Sequence, residues 1–136
     1  MDKDLTHPQG TEKLLTDSEV TTALVAGDKS VLLRWLTQQQ FEAARRPNST
    51  AEYDLQVRMA LIYSNASRMV GPREQRAYKD QALQVLTNVN AVITGELSEL
   101  SRQTAAAANR PGLQQRIEAL RQLIQRVIEL RAELLR

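Results

Sequence analysis

The chain has 136 residues, with 18 Lys and Arg against 16 Asp and Glu, one His and no Cys. That length suits one ordinary domain, or a small domain with a long extension. Without cysteine the chain forms no disulfide, thiolate nucleophile or cysteine-ligated metal site, and a single histidine, His7, cannot build a multi-histidine site. Aromatic residues make up 4% of the chain, so any core must be mostly aliphatic.

The net charge of +2 is unevenly spread: residues 1–50 and 51–100 each balance at −1, whereas residues 101–136 hold seven Arg against three acids, a balance of +4. Attraction for a polyanion is therefore expected at the C-terminal end. Met1-Asp2-Lys3-Asp4 has no basic stretch leading into an apolar one, so no signal peptide is expected. The longest uncharged run, Gln81 to Gly95, is 15 residues with Gln, Asn and Thr inside it. A membrane span needs about 20 mostly apolar residues. A cytoplasmic protein without membrane contact is expected.

Residues 1–15, with Pro8 and Gly10 among polar groups, read as a flexible tail. Thr16-Asp17-Ser18-Glu19 has capping-box spacing and opens a helix from Asp17 to Ala26, stopped at Gly27. Asp28 is the expected N-cap of a helix from Lys29 to about Arg46, where Pro47 ends it. Ser49-Thr50-Ala51-Glu52 repeats the box and starts a helix running to about Met69. Within it Val57 to Tyr63 is apolar almost all round, the mark of a central bundle helix. Gly71-Pro72-Arg73-Glu74 opens a long helix reaching Ala108, with a bend expected at Thr94-Gly95 because glycine costs about 1 kcal/mol in a helix interior. Arg110-Pro111-Gly112 breaks the chain, and the last helix runs from Gly112 to Arg136. No segment alternates with period two, so no sheet is expected. The expected fold is all-α with four or five helices in all: a helical bundle over residues 16–108 and a C-terminal amphipathic helix over 109–136.

The strongest pattern is in the last two helices. Leu83, Leu86, Asn90, Ile93, Leu97, Leu100 and Thr104 step by three and four, as do Leu113, Ile117, Leu120, Ile124, Val127, Arg131 and Leu134. Such a/d seams belong to coiled coils and bundles. Leu123, Leu130, Ile128 and Leu135 flank the second seam, so the last helix should touch more than one neighbour. It is expected to fold back as a coiled-coil-like antiparallel hairpin, to pair with a second copy, or both. A homodimer is the expectation, with Leu113, Ile117, Leu120, Leu123, Ile124, Val127, Ile128, Leu130 and Leu134 as interface residues.

Chemical constellations are sparse. Glu96 and Glu99 share a helix face and could attract a divalent cation, but a di-iron bundle needs Glu-x-x-His repeats, so both are read as solvated surface. His7 lies in the tail. Tyr53, Tyr63 and Tyr78 have neither a base nor a glycine-rich phosphate loop beside them and read as packing residues. No nucleotide fingerprint or nucleophile elbow is present. Arg116, Arg121, Arg126, Arg131 and Arg136 recur every five residues, about 140° apart around the axis, and so scatter instead of lining one groove. The 13 glutamines, including Gln38-Gln39-Gln40 and Gln114-Gln115, give a polar, uncharged surface.

Asp54-Leu55-Gln56-Val57-Arg58-Met59-Ala60-Leu61-Ile62-Tyr63, then Ala77-Tyr78-Lys79-Asp80-Gln81-Ala82-Leu83, loosely resembles a single tetratricopeptide helix pair. The match lacks that pattern's turn glycine and closing proline, and no second copy follows at its 34-residue period. It assigns no family.

Together these features favour a non-enzymatic protein-interaction module, adaptor- or chaperone-like, with no cofactor and a protein partner held by apolar helix packing. The alternative is a helical subunit of a nucleoprotein complex, with Arg110, Arg116, Arg121 and Arg126 as candidate phosphate contacts.

Overall fold

The computed structural model describes residues 13–46, 50–106 and 111–136. All regular structure among them is helical: α1 (Asp17–Val25), α2 (Ser30–Ala44), α3 (Ala51–Ser67), α4 (Pro72–Ala106) and α5 (Pro111–Leu135). His7, Ser49 and Arg110 lie outside the described residues, and so do residues 1–12 of the expected tail.

The N-terminal capping box forms as its spacing predicts. The Glu19 amide donates to Thr16 Oγ1 at 3.1 Å, and the Thr16 amide donates to Glu19 Oε1 at 2.8 Å. At the other end of α1, Gly27 has φ +88°, and the Gly27 and Asp28 amides donate back to the carbonyls of Leu24 and Ala23. This is the paired closure that a glycine in the left-handed region allows. Asp28 Oδ1 accepts from the Ser30 amide at 3.0 Å, but α2 begins at Ser30, so the N-cap position falls to Lys29, which makes no side-chain cap hydrogen bond, and not to Asp28 as expected. Residues 13–15 are pinned, not free: buried Gln38 accepts from the Leu15 amide at 2.9 Å and donates to the Lys13 carbonyl at 3.2 Å.

α3 is central, and none of Val57 to Tyr63 is exposed. One side of it joins Val20, Leu24, Leu32, Trp35 and Tyr78 through Leu55, Ile62 and Ala66. The other joins Ala82, Leu86, Val89, Ile93, Leu120, Leu123, Val127 and Leu134 through Val57 and Ala60. Two aliphatic cores thus share one helix.

α4 runs unbroken for 35 residues, about 52 Å. The helix is not interrupted at Thr94-Gly95: the seam residues Ile93 and Leu97, on either side, are packed into the second core. Their burial, about 1.5–3 kcal/mol for each fully covered side chain, outweighs the glycine cost of about 1 kcal/mol. α5 returns along α4 in the opposite direction, with Arg116 beside Glu96 and with Leu134 to Arg136 beside Pro72 to Leu83.

Candidate functional site

The α5 ridge is covered by the same chain. Ile117, Leu120, Leu123, Val127 and Leu134 are buried, Leu113, Ile124 and Leu130 are half-buried, and only Ile128 of the nine expected interface residues is exposed. Ile124 and Leu130 pack against the core formed with α3 and α4. Of the polar interruptions in the two seams, Asn90 and Arg131 are both half-buried, and the Arg131 Nε is buried without a hydrogen-bond partner.

At the end of the hairpin where α5 begins, three helices meet in a polar pin. Arg116 of α5 donates from Nε to Glu96 Oε2 at 2.8 Å and from a terminal nitrogen to Oε1 at 3.2 Å. Tyr53 of α3 donates its hydroxyl to the same Oε1 at 2.6 Å, and the Arg116 guanidinium lies 5.9 Å from the Tyr53 ring centre. The Glu96 and Arg116 side chains are 27% and 22% exposed, so solvent screens the pair only in part. The hydrogen bond from Arg116 holds the Glu96 carboxyl below its ordinary value of 4.5, against the opposing effect of burial. Desolvation, then the Glu96 hydrogen bond, pushes the Tyr53 phenol up to about 12.

Three sequence-based assignments change here. Glu96 is not solvated surface, Tyr53 does have a carboxylate beside it, and Arg116 is held by Glu96. Glu99 takes no part: it accepts from Arg102 and Gln103 on its own helix. The signal for the pin was faint but present, because Glu96 and Arg116 each directly precede a seam residue, Leu97 and Ile117, where flanking charges of opposite sign pair across helices.

A second pin of the same composition ties α1, α2 and α3. Arg58 reaches Asp17 Oδ1 at 2.7 Å and Oδ2 at 3.2 Å, and donates to Gln39 Oε1 at 2.9 Å. Trp35 donates its indole N–H to Asp17 Oδ1 at 3.2 Å, and its ring lies 5.3 Å beneath the Arg58 guanidinium. In both places a carboxylate accepts from an arginine and an aromatic donor, and the arginine covers the aromatic face.

The Glu96 pin makes a pH prediction. A carboxyl lowered in the folded state adds stability above its unfolded value and loses it as pH falls through the folded one. Glu96→Gln should therefore cost about 1–3 kcal/mol at neutral pH, the scale of hydrogen bonds to charged groups. The two proteins should converge in urea midpoint as pH falls below about 4.5. A gap that stays constant through acid would show that the Glu96 charge contributes nothing.

A cleft of about 690 Å³ opens beside this pin, lined by Tyr53, Glu96 and Arg116 with Arg46, Glu52, Leu100 and Leu113 among others. Its lining carries Arg46 and Arg116 beside Glu52 and Glu96, and no group of three metal-ligating side chains occurs among the described residues. Arg121 and Arg126 are exposed on α5. Nearby, Glu118 and Glu129 accept from Gln122 and Gln125, each at 3.4 Å. No helix among the described residues is long and apolar enough to cross a membrane.

The outer face of α2 is the other feature without an internal role. Leu33 is 64% and Phe41 48% exposed, and with Thr37 they form one row at four-residue spacing. The opposite face carries buried Trp35 and Leu32, so the helix is apolar toward both the core and solvent. Arg34 and Arg45 stand along one flank of the row, with Arg45 lying 5.8 Å from the Phe41 ring centre. Comparison with protein-family models, curated proteins and solved structures finds no match to this chain.

Proposed function

We propose that the chain is a non-enzymatic protein-interaction module whose docking face is the outer row of α2. The exposure of Leu33 and Phe41 on that row carries the reading. Large apolar side chains aligned on an amphipathic helix suit helix-in-groove recognition, in which a partner helix lays its own apolar face along the row. Arg34 and Arg45 at the flank favour a partner with carboxylates on its edge.

Self-association belongs to the proposal in a reduced form. Among the described residues the large apolar side chains exposed on α5 are Ile128 and Leu135, 48% and 66% exposed and seven residues apart on one face.

Affinity capture from the native host, with wild type beside Leu33→Glu/Phe41→Glu and Ile128→Glu/Leu135→Glu, tests both parts. Proteins held by wild type and by the α5 variant should be lost from the α2 variant, while light scattering should show a dimer for wild type that the α5 variant lacks. The α2 reading fails if its variant captures the same set as wild type. Self-association fails if wild type has the monomer mass.

A further inference from the structure

The end of the α4–α5 pair remote from the Glu96 pin carries a second cleft, of about 720 Å³. It lies between the first three turns of α4 and the last turn of α5. Arg73, Arg76 and Lys79 line it from α4 and Arg136 from just beyond the end of α5, with Asp80 the one acidic side chain in the lining among the described residues. Leu83, Leu134 and Leu135 supply its apolar wall, and Leu135 is 66% exposed. Arg73, Arg76 and Arg136 are exposed and Lys79 half-exposed, so the cations stand at the mouth and not in the core.

Sequence alone places the positive charge on α5, where the arginines scatter around the axis. The antiparallel return of α5 instead gathers Arg136 with three cations that lie about sixty residues earlier in the chain.

We propose that this cleft docks an acidic amphipathic helical segment of a partner protein. Arg73 and Arg76, like Arg76 and Lys79, are three residues apart on α4, about 5–6 Å between β-carbons. Carboxylates one helical turn apart on a partner match that spacing. Apolar side chains from the same partner face cover Leu83 and Leu135. A nucleic-acid backbone satisfies the cations equally well but leaves those leucines bare, which is why a peptide is the better occupant. The site uses no residue of the α2 row, so it stands or falls separately from that docking face, whereas Leu135 is shared with the self-association face and a dimer there would compete with the peptide.

Fluorescence anisotropy with the full chain tests it, using three labelled probes: a helical peptide with Glu at one-turn spacing and Leu on the adjacent face, the same peptide with Gln for every Glu, and a single-stranded thymidine oligonucleotide. The Glu/Leu peptide should bind at least about tenfold more tightly than its Gln counterpart, and its affinity should fall as salt is raised. Arg76→Glu/Lys79→Glu should weaken it by about tenfold or more, with unchanged circular dichroism. Leu33→Glu/Phe41→Glu should leave it intact. The proposal is overturned if the Gln peptide binds as well, if the charge-reversal variant binds as wild type does, or if the oligonucleotide binds more tightly than the Glu/Leu peptide.

Discussion

Trp35→Ala should lower the unfolding free energy by about 3–5 kcal/mol, among the largest single effects in the molecule. The ring is fully buried between α1 and α3, and it is the only tryptophan in a chain poor in aromatics. Truncation removes its packing against Val20, Leu24 and Ile62 and leaves a cavity that short aliphatic neighbours cannot close. It also removes the indole donor to Asp17 and the face that Arg58 covers. Trp35→Phe separates these contributions, because it keeps most of the apolar volume and loses the N–H. Its cost should be nearer 2–3 kcal/mol, roughly a hydrogen bond to a charged group plus a small void. Urea unfolding followed by far-UV circular dichroism measures both. A loss below about 1 kcal/mol for Trp35→Ala would mean that the ring does not anchor the N-terminal core.

Leu120→Ala should cost about 3–5 kcal/mol. Leu120 is fully buried in the core formed by α3, α4 and α5, on the α5 ridge. Because that ridge is covered within the chain, the loss should be the same at every protein concentration. A ridge covered instead by a second copy would make the loss itself change with concentration, and would do so in the Ile128→Glu/Leu135→Glu background as well. The same variant asks how tightly the two cores are coupled, since Trp35 fluorescence reports the N-terminal core and circular dichroism reports all five helices. Coincident transitions mean one cooperative unit. A dichroism change that precedes the fluorescence change means that the α4–α5 pair opens first.

Much of the fold is legible in the sequence because its signals are local. Thr16 and Glu19 cap α1, Gly27 ends it, and the unbroken apolar run from Val57 to Tyr63 marks α3 as central. The seams of α4 and α5 identify the residues that now form the larger core. What local pattern left open was set by tertiary packing. Gly95 is unfavourable by propensity, and the helix runs through it as expected because burial of its neighbours outweighs that cost. The ridge on α5 reads equally well as a dimer seam or an intramolecular one. Periodicity describes a face and not what covers it. The pins were least legible: Tyr53, Glu96 and Arg116 are far apart in the chain, and the arginine–carboxylate contact exists only once α5 has turned back. The basic cleft was hidden for the same reason, its four cations being divided between the start of α4 and the end of α5.

The sharing of α3 between two cores has a consequence for how the molecule is made. Synthesis proceeds from the N-terminus, and domains generally acquire structure as they emerge. The α1–α2 side of α3 can close once Tyr78 leaves the ribosome, because Tyr78 completes that core and donates its hydroxyl to the Leu24 carbonyl at 2.8 Å. The other side of α3, with Val57 and Ala60, must wait for the whole of α4 and then for α5. During that interval the nascent chain presents a greasy strip, and a holding factor or rapid translation through α4 and α5 would protect it from clumping.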